Sequence, residues 1–564
     1  MYWSAETEEW ARGFGRALIR NLTVFAFFLA LAGLATRPLV GDLRGQTLAS
    51  PDPLIDLWTI NWLTTHFFDP QRMLAGNIFH PAPHAVLYSD LSLGTVLLVL
   101  PLRAWLRDPV LLYNGALLLT LAFAGWAWYR LAHELTGCLW GSLMAGIVAA
   151  FSSHQLFHIY HLNLVGTGWL ALFVLGLHRL RTRPSWRAAV LAGLSFAVTA
   201  QSSGYYAVAA TVLALVLAGL ELARWRERRL VVAVAGAVAL ATLLTLPYLM
   251  AYARVDAAEG LRRPLGLSAR MAFQPGRDLG SQGYLYGALL GGEGERLFPG
   301  LLCLGLAGLA LVRRAGPWRF YAAAIGVLLV LSLGPSWTVG GHTVALPYYW
   351  LATLPLLDGM RHPYTFAAVA TFLLAVVAAL GWREWRWAAR PWAGPLLVAL
   401  AVAEVAAPGP KLRPLPAGLP GYFEVLDRLP PGPVLEVPPF AEETLLWAAR
   451  TGRPMLNGQG SAFAPLDALR LNRYVENQWL RGVPSDLDAT RPARFLVERT
   501  DVRYVVVPAG RKPQFIPLLG AFSGSRLFRQ VASSREGDVV FEVVRQGSQS
   551  TVDRPDAVIA DRRQ

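Results

Sequence analysis

Charged residues and cysteine are scarce in this sequence of 564 residues, and each shortage excludes a class of protein. Charged residues make up 16% of the chain, whereas soluble globular domains carry about 25%. The two cysteines, Cys138 and Cys303, lie in or beside apolar runs, which argues against a disulfide framework and a thiolate metal site. Lysine is nearly absent, so arginine supplies almost all of the net charge of +14. This excess indicates cytoplasmic loops and lipid headgroup contacts rather than nucleic-acid binding.

Repeated apolar runs predict a polytopic α-helical membrane protein with about 11 spans. The first run, 22–40, follows three arginines, which places the N-terminus in the cytoplasm. The run 91–106 contains Pro101 and is predicted to be non-spanning or re-entrant, because this assignment puts the downstream basic loops in the cytoplasm. The odd number of spans then places the C-terminus outside. Later spans are predicted at 109–131, 139–152, 164–180, 188–201, 205–222, 230–250, 298–312, 318–333, 364–381 and 391–407.

Composition divides the chain into three regions. Residues 1–407 form a predicted transmembrane domain with a large first outer loop, 41–108. The segment PGPKLRPLPAGLPG is rich in proline and glycine and is typical of a linker. It opens region 408–545, a predicted small α/β domain outside the membrane, and the polar tail 546–564 is predicted to be disordered. Within the α/β domain, strands are expected at 433–437, 502–507 and 539–544, and helices at 442–450 and 488–499.

Three aspartates of the first outer loop are candidates for acid–base chemistry. Asp52 lies between two prolines, which restrict the backbone on both sides. Its carboxylate could take the proton of a sugar hydroxyl, as a general base does. Asp56 follows at the i+4 position, on the same face of a helix, and Asp90 opens the 91–106 run. Asp52 and Asp90 could instead be helix N-caps, where aspartate is common.

The second outer loop contains three histidines at helical spacing, His154, His158 and His161. Such spacing suits a metal ion, or a phosphate group when the rings are protonated. The loop itself contains no carboxylate, so phosphate or substrate contact is favoured over metal. Arg361 and His362 precede a span, where arginine suits bidentate phosphate recognition or a snorkelling headgroup contact. The segment 457–461, NGQGS, is either a sugar contact or a plain turn.

In order along the chain, these features resemble the GT-C superfamily of integral membrane glycosyltransferases, and more closely a group of bacterial GT-C-like proteins. The stretches that carry the resemblance are PDPLIDLWTINW (51–62), NIFHPAPHAVLYSDLSLG (77–94), LTGCLWGSLMAGIVAAFSSHQLFHIYHLNL (135–164), QSSGYYA (201–207), ERLFPGL (295–301), RHPYTF (361–366) and MLNGQGSAFAP (455–465). The resemblance implies a polyprenyl-phosphate-linked sugar donor, a catalytic role for Asp52 and a functional role for Asp90. Members of the oligosaccharyltransferase type hold a divalent metal with acidic residues of the second outer loop. This loop has none, so a metal is possible but not favoured.

The sequence therefore predicts an inverting glycosyltransferase in the bacterial inner membrane, with its chemistry on the outer face. The acceptor is a glycan, lipid or protein, and membrane lipid is the other partner. Asp52 and Asp90 are the predicted catalytic residues. Asp56, the three histidines of the second loop, Arg361 and His362 are predicted to bind substrate or phosphate. Two other functions remain open: a transporter or flippase of lipid-linked substrates, and a non-catalytic membrane scaffold.

Overall fold

The computed structural model describes residues 5–259, 270–291, 294–339, 342–354, 357, 360–437, 443–458, 486–511 and 519–545. The part of the chain up to residue 405 is mainly helical. Its longer helices are Ala5–Ala35, Pro109–Thr136, Leu139–Phe151, Gly168–Thr182, Trp186–Ser202, Gly204–Leu220, Arg228–Glu259, Leu301–Arg313, Trp318–Ser332, Tyr364–Glu384 and Ala393–Val405. A helix therefore lies at each predicted span, because long apolar runs specify helices in lipid by themselves.

Five stretches are long and apolar enough to cross a membrane: Gly15–Ala35, Pro109–Thr136, Leu162–Thr182, Arg228–Ala258 and Tyr364–Glu384. Five further apolar helices are shorter, so the predicted number of spans stays a prediction. Helix Tyr364–Glu384 is the core of the bundle, since 94% of its apolar window is buried, whereas only 22% is buried in Arg228–Ala258. The central helix packs closely on Leu301–Arg313, where a Cβ added to Gly381 would lie 1.8 Å from the Leu306 carbonyl oxygen. The protein is thus membrane-embedded, with a buried central helix.

The run 91–106 folds as a short helix, Leu93–Val99, followed by a 3-10 turn, Leu100–Leu102. At about 1.5 Å per residue, these elements are too short to cross a hydrocarbon core of about 30 Å. This agrees with the predicted non-spanning segment. The loop between Trp318–Ser332 and Tyr364–Glu384 forms a hairpin of strands Ser336–Val339 and His342–Ala345, followed by helix Pro347–Ala352.

The chain divides into two compact units. The first unit comprises 1–50, 90–105 and 111–413, and the second comprises 51–89, 106–110 and 414–564. Part of the predicted first outer loop therefore belongs to the same unit as the C-terminal residues. Shorter elements are helices Arg37–Val40, Asp52–His66, Ser153–Phe157, Leu162–Val165, Pro275–Asp278, Tyr422–Leu426, Glu443–Thr451 and Arg491–Arg499, the 3-10 turns Ala85–Tyr88, Leu222–Arg226, Leu487–Ala489 and Ala509–Arg511, and strands Gln46–Leu48 and Leu412–Pro414.

The second unit contains a four-stranded mixed sheet. Its strand order is Val434–Glu436, Tyr504–Val507, Val539–Val543 and Phe528–Ser533. The first pair is parallel and the other two pairs are antiparallel. Three of the strands lie where the apolar runs predicted them. Strand Phe528–Ser533 was not predicted, because beyond Phe528 its residues are half-buried or exposed and give no apolar run.

Helix Asp52–His66 packs against helix Glu443–Thr451 within the second unit. The Asn77 side chain fixes this association: its Oδ1 accepts from Trp58 Nε1 at 2.7 Å, and its Nδ2 donates to the Ala448 and Arg453 carbonyl oxygens. All three bonds are buried or half-buried, so each contributes roughly 1 kcal/mol. The 51–89 segment thus forms part of the core of the second unit.

Candidate active site

Two buried histidines stand one helical turn apart just beyond helix Leu139–Phe151. His154 belongs to the short helix Ser153–Phe157, and His158 follows that helix directly. Both side chains are almost fully buried, and the ring centroids lie 4.5 Å apart. His161 continues the row, with its ring centroid 5.6 Å from that of His158. The predicted one-sided arrangement of the three rings is therefore present in the first unit.

Glu295 reaches the histidine pair from the loop that precedes helix Leu301–Arg313. Its Oε2 lies 2.7 Å from His158 Nε2, and its backbone carbonyl oxygen lies 3.0 Å from His154 Nδ1. A carbonyl oxygen only accepts, so His154 Nδ1 carries the hydrogen and His154 Nε2 is left with a bare lone pair. That Nε2 is buried and has no hydrogen-bond partner in the described part of the chain. The hydrogen bond at Nδ1 therefore orients the His154 ring, and its Nε2 lone pair is open to a ligand.

Burial sets the protonation of this cluster. Burial, with the neighbouring His158 second, lowers the pKa of His154 to about 3. Burial, with His161 second, lowers the pKa of His158 to about 3. Burial raises the pKa of Glu295 to about 6, opposed mainly by His154. Near neutral pH both rings are thus neutral and Glu295 is ionised, so the two rings present lone pairs rather than positive charge.

The loop that presents Glu295 is held by a fully buried carboxylate, Asp278. Its Oδ1 accepts from the Glu295 backbone N–H at 3.2 Å and from Arg277 Nε at 2.7 Å, and its Oδ2 accepts from the Gln274 N–H at 2.8 Å. Losing one partner of such a buried pair typically costs about 3–5 kcal/mol. Asp278 is therefore a structural residue that positions Glu295.

The same loop is tied to the last helix of the bundle, Ala393–Val405. Glu404 Oε1 accepts from the Tyr286 hydroxyl at 2.5 Å and from the Leu302 backbone N–H at 3.0 Å. The second bond caps helix Leu301–Arg313 at its N-terminus, where a carboxylate is favourable. Both ends of the Glu295 loop are therefore anchored by buried or half-buried acids.

Arg296 provides a positive charge beside the cluster. Its backbone is left-handed, with φ of 57°, a conformation that is uncommon for a residue with a side chain. Its guanidinium lies 5.8 Å from the centre of the Phe157 ring. Guanidinium atoms Nε and Nη1 are buried and have no hydrogen-bond partner among the described residues. A planar donor group in this state suits an incoming phosphate or carboxylate.

Arg361 and His362, which the sequence predicted as phosphate-binding residues before the central helix, lie near the histidine cluster. The Tyr364 ring stacks on His158 at 5.7 Å and meets the His362 ring at 5.3 Å. The Tyr205 ring lies 5.5 Å from His362. Its hydroxyl lies 3.5 Å from the Arg361 backbone nitrogen. The structure thus brings Arg361, His362 and the second-loop histidines into one region.

Asp90 lies beside the end of the second loop. The Asn163 Nδ2 donates to Asp90 Oδ2 at 2.5 Å. Burial raises the pKa of Asp90, opposed by hydrogen bonds from the Asn163 side chain and the Gly204 backbone. The N-cap of helix Leu93–Val99 is Ser92, so the alternative that Asp90 is the cap is wrong. Asp90 instead connects the second loop to the QSSGYYA stretch (201–207).

Asp52 and Asp56 lie in the second unit, at the start of helix Asp52–His66. The N-cap residue is Pro51, so Asp52 stands in the first turn and not at the cap. Asp52 is half-buried, and Asp56 is buried one turn further on. A carboxylate in the first turn also favours the helix through its dipole.

The NGQGS segment is only partly described. The Asn457 side chain pairs with the backbone of Glu436, accepting from its N–H at 2.7 Å and donating to its carbonyl oxygen at 2.8 Å. These two hydrogen bonds hold Asn457 against strand Val434–Glu436. Asn457 is thereby engaged within the fold, and residues 459–461 lie outside the described residues.

His154, His158 and Glu295 could hold a metal ion, because one ligand atom from each lies within 4.8 Å of the others. Two histidines and a glutamate form a common ligand set for divalent zinc. Metal-binding histidines usually donate their second N–H to a carbonyl or carboxylate, as His154 does here. The second loop itself contains no carboxylate, as the sequence shows, but Glu295, more than 130 residues away in sequence, supplies one. Sequence reasoning missed this residue although it begins the quoted ERLFPGL stretch.

We expect the purified protein to bind about one equivalent of Zn²⁺ or Mn²⁺ per chain, measured by calorimetry at pH 7.5. Glu295→Gln should weaken this binding by about 10–100-fold, the range found when a metal ligand or its partner is changed. Glu384→Gln, which changes an exposed glutamate at the far end of helix Tyr364–Glu384, is the matched control and should bind as the wild type does. Equal affinity in all three proteins would show that the metal does not bind at this cluster.

Comparison with solved structures places the fold. A mutant form of the arabinofuranosyltransferase AftD from Mycobacteria superposes with a TM-score of 0.50 at 17% identity, over 92% of this chain and 41% of AftD. This chain thus spans about two fifths of the AftD chain. The Archaeoglobus fulgidus oligosaccharyltransferase AglB, in complex with an inhibitory peptide and a dolichol-phosphate, gives 0.42 at 12% identity, over 87% of this chain and 70% of that one.

A third structure, ArnT from Cupriavidus metallidurans bound to undecaprenyl phosphate, gives a TM-score of 0.45 at 13% identity, over 92% of this chain and 98% of ArnT. No protein-family model matches the sequence, and a comparison with curated proteins found no match. The likeness to AftD concerns the fold: this chain has the fold of that arabinofuranosyltransferase, as the resemblance had led us to expect.

Proposed function

We propose that this chain is a membrane glycosyltransferase that moves a sugar from a polyprenyl-phosphate donor to an extracytoplasmic glycan, lipid or protein. The observation that carries the proposal is the cluster of His154, His158 and Glu295 with Arg296 beside it, whose Nε and Nη1 have no hydrogen-bond partner within the described segments. Such a concentration of perturbed titratable groups on a fold shared with a known glycosyltransferase is typical of an active site. The AftD likeness supports the fold, and the cluster supports the chemistry.

The proposed reaction is an inverting displacement at the anomeric carbon. The acceptor hydroxyl loses its proton to a carboxylate, and its oxygen forms a bond to C1 of the sugar. The bond between C1 and the phosphate oxygen breaks, and the electron pair leaves with the polyprenyl phosphate. Asp52 is the proposed base, as the sequence predicted. Glu295, whose pKa of about 6 also suits proton transfer near neutral pH, is the rival for this role.

Charge that develops on the leaving phosphate needs donors, and two arginines of the first unit are suited to provide them. Arg296 offers Nε–H and Nη1–H groups without partners among the described residues, and Arg361 stands at the predicted outer end of the central helix. Neutral His154 and His158 are poorer phosphate donors, because both rings present bare nitrogens. Their proposed role is to orient Glu295 and, where a divalent cation is used, to hold it with Glu295. Bound there, the cation would supply positive charge.

The ionisation of Glu295 predicts a pH dependence. Burial raises its pKa to about 6, so the carboxylate is protonated below that pH and its hydrogen bond from His158 weakens. We expect log kcat/KM to rise with a slope near one up to about pH 6 and to level off above it. The measurement is the rate of sugar transfer between pH 5 and 8.5 at subsaturating donor. In Glu295→Gln the residual rate should lose this inflection. An inflection that persists there would assign it to another group.

Transport of a lipid-linked substrate is the first alternative function. It would need ionisable residues near the middle of the spans. Glu404, the best candidate, is engaged at the N-terminus of helix Leu301–Arg313 and with Tyr286. This position suits an anchor of the Glu295 loop better than a transport site. A non-catalytic scaffold would leave the buried histidine–glutamate cluster without a purpose.

The test is transfer by the purified full chain from a panel of polyprenyl-phosphate sugars to acceptor glycans and lipids. Sugar transfer from at least one donor supports the proposal and names the substrate. The same chain in proteoliposomes, assayed for movement of fluorescent lipid-linked sugar across the bilayer, addresses the transporter. Movement without transfer would overturn the proposal. Neither activity, with a control glycosyltransferase active on the panel, would favour the scaffold.

A further inference from the structure

A large apolar cavity lies between four helices of the first unit. Its volume is about 470 Å³. Four helices surround it, Gly168–Thr182, Trp186–Ser202, Gly204–Leu220 and Arg228–Glu259. The wall is mainly aliphatic and aromatic, with Phe173, Phe196, Leu217, Val238, Ala241 and Leu249 among the lining residues. Such a wall offers almost no hydrogen bonds to a sugar or a nucleotide.

The chain path fixes the end of the bundle at which the charged mouth of the cavity lies. Helix Gly168–Thr182 starts beside the second outer loop and runs away from it. Helix Trp186–Ser202 returns, and Gly204–Leu220 runs away again from the Asp90 region. Lining residues Leu180, Arg181 and Glu221 therefore place the mouth at the end opposite to the histidine cluster, and the apolar part of the cavity extends from there along the helices to Leu249. The charged mouth is thus separate from the site proposed for sugar transfer.

This end carries a strong excess of positive charge. The two connections between the cavity helices at this end, residues 179–187 and 221–229, contain eight arginines and two glutamates. Arg181 lines the cavity and donates through Nε to Glu221 at 2.6 Å. Its two terminal nitrogens make no hydrogen bond to a described residue. Trp225, which also lines the cavity mouth, is a residue type that favours the headgroup level of a bilayer.

We propose that this cavity binds one anionic diacyl phospholipid, with an acyl chain between the four helices and the phosphate at Arg181. The apolar wall matches the chain, and the arginine excess matches an anionic headgroup, toward which basic residues at a membrane surface are attracted. Helix Arg228–Ala258 is mostly unburied, so one wall of the cavity borders the lipid phase and gives lateral entry. A polyprenyl phosphate held by Arg181 would have its phosphate at the end away from the proposed chemistry, which makes it the less suitable occupant of this mouth.

Native mass spectrometry of the full chain tests the proposal, after exchange into equimolar phosphatidylglycerol, phosphatidylcholine and undecaprenyl phosphate. Wild type is expected to retain one phosphatidylglycerol in preference to the other two lipids. Arg181→Gln should reduce the preference over phosphatidylcholine by about fivefold, the effect of one basic residue. Ala241→Trp, which fills the cavity, should abolish retention. Val232→Trp, at a residue on the same helix that is 62% exposed, is the matched control and should retain the lipid.

Retention of phosphatidylglycerol by Ala241→Trp at the wild-type level would overturn the proposal, as would selective retention of undecaprenyl phosphate by the wild type. If Ala241→Trp does not fold, the lipid preference of Arg181→Gln is the test, because this change lies at the mouth of the cavity. An unchanged preference in Arg181→Gln would then contradict the assignment. A rise in the melting temperature of the wild type with added phosphatidylglycerol, absent in Arg181→Gln, is the independent readout expected from binding to the folded state.

Discussion

Replacing Glu295 with glutamine is expected to lower the rate of sugar transfer by about 100-fold, within the range found for residues that hold or orient a site group. Glutamine keeps the shape of the side chain but removes the charge that accepts the hydrogen bond from His158 at 2.7 Å. The measurement is kcat and kcat/KM with the donor identified from the panel. Glu384→Gln, an exposed change, should remain within twofold of the wild type. Equal activity of both variants would show that the cluster is not used in transfer.

The same substitution carries a stability signature that separates a catalytic loss from a folding defect. Because the pKa of Glu295 is raised to about 6, its ionised form costs stability, and this cost is complete above that pH and absent below the unfolded value. Glu295→Gln should therefore stabilise the metal-free protein at pH 8, by up to about 2 kcal/mol, and have little effect at pH 4. Thermal unfolding at the two pH values measures this. A variant that is less active and less stable at pH 8 would instead indicate a structural role.

The second large effect is expected from replacing Asp52 with asparagine. The rate of sugar transfer should fall by about 10²–10⁴-fold, the usual contribution of general base catalysis. Asparagine retains the size of the side chain and a first-turn position in helix Asp52–His66, but it cannot take a proton. The measurement is kcat at saturating donor and acceptor. Asp69→Asn is the matched control in the same loop, since its Oδ1 accepts only backbone N–H bonds that asparagine can also accept.

A loss confined to kcat, with KM unchanged, would support Asp52 as the base. Transfer by Asp52→Asn within threefold of the wild type would remove Asp52 from that role. Glu295 would then be the remaining candidate, because its pKa near 6 suits proton transfer at neutral pH. The two variants therefore assign the base between them.

The helices of the bundle could be predicted from the sequence because each one depends mainly on its own stretch of apolar residues. Each helix of the first unit is an apolar run that satisfies its own backbone hydrogen bonds. Strands Tyr504–Val507 and Val539–Val543 were equally clear, since their β-branched residues are buried in the sheet. Strand Phe528–Ser533 has no such run of buried β-branched residues. It forms through backbone hydrogen bonds to its partner strand Val539–Val543, which its own sequence does not indicate.

Only part of the candidate site could be predicted, because its residues come from segments that are far apart in sequence. The histidines of the second loop stood out through their spacing. Glu295 and Arg296 did not, since they lie in a loop without periodicity and meet the histidines across more than 130 residues of chain. The association of residues 51–89 with the C-terminal part rests on Asn77 contacts across similar or larger separations. Sequence spacing cannot reveal such pairs, because they depend on how the elements pack.

The most direct test of glycosyl transfer is a single-turnover measurement with a donor that carries one isotope in the sugar and another in the phosphate. The purified full chain is mixed in excess over donor, and products are separated at successive times. The account predicts that the sugar label passes to the acceptor and the phosphate label to free polyprenyl phosphate at equal rates, and that Glu295→Gln slows both equally. Labels that remain together in one molecule at all times would contradict it.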